Sequence, residues 1–169
     1  HHQNLMRKKP SKKTMRRRLD NVVRDYVKLR DQNVCQTCFI HKDSTPQQSL
    51  DWSHYISRRY SILRYDQRNG LAQCRKCHNQ YGDGFNSPMQ KAIDRIWGDG
   101  TVAKLEKIAM QYPSIKGTPL DTVDFRLELE EYYKQLIKYL EKGIPPDEVM
   151  KTVESSWGME IEHCLQGEE

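Results

Sequence analysis

The chain has 169 residues, of which 36% are hydrophobic and 30% charged, with a net charge of +5. So small an apolar share excludes a large enzyme barrel and suggests a small core carrying long solvated helices. No run approaches the roughly 18 apolar residues of a membrane span, and no secretory apolar segment appears, so no membrane partner is expected.

His1-His2 read as the remnant of an affinity tag, and residues 1–13 as that remnant followed by a flexible basic arm. Residues 14–33 form a basic N-terminal helix, because Met15, Leu19, Val22, Val23, Tyr26 and Val27 recur at helical spacing with Arg and Lys between them. Residues 34–86, rich in Cys, Arg and Tyr and in short strand-like pieces, are the expected core. Residues 87–143 form a helical region. Its first helix starts at Ser87-Pro88-Met89-Gln90, with Ser as N-cap and Pro in the first turn, and stops near Gly98. A second runs from about Thr101 to Tyr112. A third is capped by Asp121, reaches Lys142 and carries the stripe Phe125, Leu129, Tyr133, Leu136, Ile137 and Leu140. Pro145-Pro146-Asp147-Glu148 opens a last short helix within an acidic C-terminal tail, residues 144–169.

Charge is unevenly placed. Residues 1–30 hold eleven Lys/Arg against two Asp, and residues 143–169 hold one Lys against seven acids. A basic arm beside a basic middle suggests a polyanion partner, although a charge run is as often a solvated helix face.

Four of the five cysteines stand in two CxxC pairs, Cys35-Gln-Thr-Cys38 and Cys74-Arg-Lys-Cys77, with 35 residues between the pairs. Two such knuckles offer four thiolates to one tetrahedral ion, and structural Zn²⁺ is the natural occupant. A thioredoxin-type redox pair is the weaker alternative, since no βαβ pattern surrounds either pair. Four sulfurs leave no open coordination position, so this zinc holds the fold and performs no chemistry. The odd cysteine count, with Cys164 left over, argues against a disulfide framework and for a reducing, cytoplasmic compartment.

A second set of residues lies between and beside the knuckles: Asp51-Trp-Ser-His54-Tyr, then Arg68-Asn69-Gly-Leu, then Cys77-His78-Asn79 directly after the second. The order His54, Asn69, His78 resembles the HNH endonuclease signature in its zinc-bearing branch. The blocks Leu50–Tyr55, Leu63–Asn69 and Cys74–Gln80, with the helices on either side, are similar to those of the phage NinG/Rap recombination endonucleases over roughly residues 19–142. The resemblance implies an α+β fold, a small zinc-stapled ββα-metal (HNH) core flanked by α-helices. It also implies an enzyme that hydrolyses DNA phosphodiesters with Mg²⁺ or Mn²⁺, leaving 5′-phosphate and 3′-hydroxyl ends, on branched recombination intermediates such as D-loops and Holliday junctions. In that family's terms His54 is the general base and Asn69 its orienter, while Asp51 and His78 hold the catalytic divalent ion.

This sequence departs from the common HNH pattern at one point. Ser53, not an acid, immediately precedes His54; Asp51 lies three residues before it, a spacing that resembles the endonuclease VII branch. Positions three apart on a regular strand face opposite sides, so Asp51 serves only at a strand end or a bulge. Otherwise Asp51 is a turn residue and Asp66 or Asp83 takes its place. Asn69-Gly70 also reads as a simple turn, and Asn79 rivals His78 as ligand.

Arg58, Arg59, Arg64, Arg68 and Arg75 cluster around these residues with Tyr55, Tyr60 and Tyr65 between them. Guanidinium groups pair with phosphates and aromatic rings stack on bases, so these arginines are the expected DNA contacts. Tyr55 and Tyr65 equally suit a core. A homodimer is expected, because one His54–Asn69–His78 set cuts one strand at a time and a four-way junction needs two nicks. The stripes of the helices at 101–112 and 121–142 are material for its interface, or else pack within one chain. An HNH nuclease with duplex or restriction-type specificity and a non-catalytic zinc module that only binds DNA are the alternatives.

Overall fold

The computed structural model describes residues 7–40, 49–81, 87–112, 114–118 and 120–152. Helix α1 spans Lys12–Arg30; strands β1 (Asp51–His54) and β2 (Gly70–Gln73) follow, then α2 (Arg75–Tyr81), α3 (Ser87–Trp97), α4 (Thr101–Gln111) and α5 (Val123–Glu141). Residues 146–152 are helical as well. The architecture is therefore mixed, with helices around one two-stranded antiparallel sheet. None of the helices among the described residues is long and apolar enough to cross a membrane.

Helix α1 starts two residues earlier than its apolar spacing suggests, because the Ser11 hydroxyl accepts the Thr14 N–H as an N-cap. Met15, Leu19, Val23, Tyr26 and Val27 are buried. Leu19, Val23, Tyr26 and Val27 share the main core with Leu129, Tyr133 and Leu136 of α5, and the Tyr26 and Tyr133 rings lie 5.2 Å apart. Lys9 pairs with Asp124 (2.9 Å), Lys12 with Asp121 (3.2 Å) and Arg18 with Glu130. The pairs Lys12–Asp121, Arg18–Glu130 and Tyr26–Tyr133 advance in the same direction along both segments, so α1 and α5 run parallel. Such parallel pairing requires the long connection that the sheet, α2, α3 and α4 provide.

One expectation changes here. Helix α5 is capped by Thr122, whose hydroxyl accepts the Phe125 N–H, and not by Asp121, whose carboxylate is taken by Lys12 and Arg126. Lys9 and Lys12, at the junction of the basic arm and α1, face the acidic start of α5 through exposed ion pairs with Asp124 and Asp121. The centre of the α5 stripe, which the sequence offers to a second copy, is buried against α1 within the chain. Residues 41–48, 82–86 and 153–169, with His41, Asp83, His163 and Cys164 among them, lie outside the described residues.

The C-terminal end of α1 fastens the sheet. Arg30 is buried and donates to the Gln67 and Gly70 carbonyls (2.7 and 2.8 Å) and to the Asp31 carboxylate (2.8 Å). Asp31 in turn accepts the Ala72 N–H of β2 (2.8 Å). A buried ion pair is tolerated when its remaining hydrogen-bonding capacity is filled, as here by three backbone groups. It fixes β2 on α1 and sets the direction in which β1 presents its side chains.

Strand β1 pairs with β2 in the register Asp51↔Gln73, Trp52↔Ala72, Ser53↔Leu71 and His54↔Gly70. Gly70 is required by close approach and not by backbone angle. A Cβ there would lie 2.3 Å from the Trp52 indole nitrogen. Trp52 packs on His54 with ring centroids 4.2 Å apart. Gly70→Ala is therefore expected to push Trp52 off its position and to destabilise the fold by about 1–3 kcal/mol, as overpacking does. A urea denaturation midpoint unchanged from the parent would contradict this contact.

Candidate functional site

The two CxxC pairs converge. The first follows α1 through a turn in which Gln32 and Asn33 adopt positive φ, and the Gln36 N–H bonds to the Ala72 carbonyl of β2 (2.9 Å). The second opens α2, where the Cys74 sulfur accepts the Cys77 N–H at 3.4 Å. The Sγ atoms of Cys35, Cys38, Cys74 and Cys77 all lie within 4.8 Å of one another, with Cys38 and Cys74 at 4.0 Å. A tetrahedral ion with Zn–S bonds near 2.3 Å requires sulfurs about 3.8 Å apart. The four cysteines therefore fit a structural metal ion such as zinc. Burial pushes the Cys74 and Cys77 thiols up from their ordinary value, so a bound cation must displace their protons.

This knuckle also aims the next residue. The His78 N–H bonds to the Cys74 carbonyl (2.8 Å), and α2 carries His78 against β1. There its Nδ1 lies 2.9 Å from Asp51 Oδ2. Asp51 is the first residue of β1, which is the strand-end position its spacing from His54 demands. Its carboxylate is shared with Arg75 at 3.0 Å. Adjacent ligands of an octahedral ion with bonds near 2.1 Å stand about 3.0 Å apart. The 2.9 Å separation of Asp51 and His78 is that of a hydrogen bond between the two side chains, and it is also the spacing of adjacent ligands in such a shell.

Asp51, His54 and His78 line one pocket of about 540 Å³, with Trp52, Arg58 and Arg75 also on its wall. His54 is only 3% exposed. Its Nε2 lies 3.0 Å from the Arg64 carbonyl oxygen. A carbonyl only accepts, so in this bond Nε2 carries the proton and Nδ1 keeps the lone pair. Burial pushes the imidazole down to about 3, with the Arg58 and Arg64 charges adding to the effect. The ring is neutral at pH 7 and has a fixed tautomer.

The Asn69 side chain bonds to the loop that follows His54. Its side-chain oxygen accepts the Ile56 N–H (2.7 Å), and its nitrogen donates to the Ile56 and Leu63 carbonyls (3.0 and 3.2 Å). These bonds pin both ends of the segment from Ile56 to Leu63, one residue short of the Arg64 carbonyl that holds His54. Asn69 also sits in the 3-10 turn Gln67–Asn69 that leads into β2, in keeping with the turn reading.

The expected arginines divide. Arg58, Arg59 and Arg75 are exposed. Arg64 is paired with Asp20 at 2.8 Å but keeps part of its surface. Arg68 is not available to a ligand, because its guanidinium is buried and forked onto Asp66 (2.7 and 3.0 Å). The same contact removes Asp66 as an alternative metal ligand. Asn79 is exposed and does not line the pocket, whereas His78 does. Tyr55 belongs to the core, with its hydroxyl on Glu106 at 2.6 Å.

Sequence reasoning missed the contribution of α1. Asp20, Asn21, Arg24, Asp25 and Lys28 form the pocket's far wall. Their spacing marks one polar face of the helix, opposite the buried stripe. That pattern is the same one a solvated face produces, so nothing in it announces a site. Comparison with known proteins adds no neighbour: no family model, no curated protein and no solved structure matches the chain.

Proposed function

We propose that the protein is a metal-dependent DNA endonuclease of the HNH type, related to the phage NinG/Rap recombination endonucleases and acting on branched DNA. One observation carries the reading: a neutral, tautomer-fixed histidine and an Asp–His pair spaced for a divalent ion line the same pocket, beside exposed arginines.

His54 offers the Nδ1 lone pair to a water molecule and takes its proton as that water attacks phosphorus. The Arg64 carbonyl accepts the opposite N–H and stabilises the imidazolium as it forms. A DNA phosphate entering the pocket brings negative charge next to the ring and raises its affinity for the proton from the low value of the free protein. Asp51 and His78 would hold Mg²⁺ or Mn²⁺, which would supply charge stabilisation at the scissile phosphate and its departing oxygen. Arg58 and Arg75 on the pocket wall position the phosphodiester. Zn²⁺ at the four cysteines keeps α2, and with it His78, in place.

Asp51→Asn and His78→Ala are expected to raise the Mg²⁺ concentration for half-maximal cleavage at least about tenfold, since each removes one of two protein ligands. The measurement is initial cleavage rate against Mg²⁺ for parent and variants. A metal titration unchanged in Asp51→Asn would remove this carboxylate from the site.

A further inference from the structure

A second concavity, of about 630 Å³, adjoins the pocket and shares Arg58 with it. Arg16 of α1, Arg58 and Arg59 of the loop after β1, Arg64, and Arg126 of α5 all line it, and no acidic residue does. Five guanidinium groups from four separate parts of the chain thus meet around one groove. Arg64 and Arg126 each have a carboxylate behind them, Asp20 and Asp121, which holds the side chain without neutralising the whole set. Arg16, Arg58 and Arg59 are exposed and have no ion-pair partner among the described residues. One buried nitrogen of Arg126, Nη1, lacks an acceptor among them. Tyr65 adds a flat ring to the wall, with the Arg64 guanidinium 5.8 Å from its centroid.

Like charges gathered on a concave wall with too few counter-charges repel one another, and a polyanion relieves that repulsion. The forked guanidinium geometry matches phosphate oxygens in particular. Arg64 also joins the two concavities: its carbonyl accepts from His54 of the first, its guanidinium pairs with Asp20 on the first pocket's wall, and the residue lines the second.

We propose that this groove binds a second stretch of DNA phosphodiester backbone, beside the one that enters the His54 pocket. The inference rests on the nuclease reading for the identity of the polyanion. The second stretch is either the flank of the duplex being cut or a separate arm of a branched molecule, and both present the same phosphates.

The test is DNA binding by the full chain in buffer without added divalent ion, read by fluorescence anisotropy on a four-way junction and on a linear duplex at several salt concentrations. The double variant Arg16→Ala/Arg59→Ala removes two exposed, unpaired side chains and is expected to melt like the parent. Lys138→Ala/Lys142→Ala removes the same charge from the far end of α5, about 18 and about 24 Å along the helix from Arg126 at 1.5 Å per residue. The arginine variant is expected to bind the junction at least about tenfold more weakly at 0.1 M salt, with the log–log salt slope reduced by about 1.8, or about 0.9 per lost phosphate contact. The lysine variant is expected to match the parent. Loss on the junction alone assigns the groove to a separate arm, and loss on both substrates assigns it to the flanking duplex; either supports the proposal. Parental affinity and slope in the arginine variant, or an equal loss in the lysine variant, overturns it. A parent that binds DNA but never cuts it in Mg²⁺ sinks the nuclease reading and leaves the groove standing.

Discussion

Cys74→Ser is expected to release the metal ion and unfold the protein. The four cysteines link the end of α1, β2 and the start of α2, three elements that share little apolar surface at this point: the cluster around the sulfurs contains only Leu50 and Ala72 besides cysteines. Structural zinc in small domains binds with about 10–16 kcal/mol, almost all of it folding free energy. A domain of this size has a net stability of about 5–15 kcal/mol. Losing one of four thiolates therefore removes an amount comparable to the whole. The checks are metal content by atomic absorption and thermal melting by circular dichroism, both against the parent. A variant that lost its metal yet kept its melting temperature would show that the apolar core alone holds the fold.

His54→Ala is expected to lower the cleavage rate by about 10²–10⁴-fold while DNA affinity changes little. General-base catalysis contributes on that scale, whereas affinity comes mostly from phosphate contacts made by arginines elsewhere. The same residue carries a pH signature that needs no activity. Burial holds the folded-state imidazole at about 3, while an unfolded histidine titrates near 6.5. As pH falls below about 6.5 the unfolded chain takes up a proton that the folded chain refuses. Stability contributed by neutral His54 is thus complete above that pH and is lost as pH falls toward 3, at roughly 1.4 kcal/mol per unit. Between pH 6.5 and 5 the parent should lose about 2 kcal/mol relative to His54→Ala, read from paired urea titrations. Identical pH dependence in the two proteins would mean that His54 is solvated.

What the sequence made legible, and what it did not, follows from the range of the interactions involved. The cysteine knuckles and the long helices were readable, because CxxC spacing and the stripe Met15, Leu19, Val23, Tyr26, Val27 are local patterns. The cap of α5 was misplaced by one residue because Asp121 and Thr122 are both good caps, and Lys12, distant in sequence, claims Asp121. Arg68 read as a DNA contact because its neighbours do; only the fold shows that Asp66 takes its guanidinium. The hold on His54 was illegible for a deeper reason. It comes from a backbone carbonyl, at Arg64, which any residue supplies. The arginine groove depends on bringing Arg16 and Arg126 to the loop at Arg58 and Arg59, and no local pattern encodes that meeting.

The most direct test of the central claim is cleavage itself. Folded, zinc-loaded full-length chain is incubated with end-labelled four-way junction, flap and linear duplex in Mg²⁺, beside a reaction in which Mg²⁺ is omitted and a His54→Ala control. The expected result is Mg²⁺-dependent nicking of branched DNA, with 3′-hydroxyl ends that a polymerase extends and 5′-phosphate ends that a ligase rejoins, and with no comparable nicking by His54→Ala. Cleavage of linear duplex at an equal rate would contradict the branch preference. Tight DNA binding with no cleavage in either Mg²⁺ or Mn²⁺ would contradict the enzyme altogether and leave a zinc module that only binds DNA.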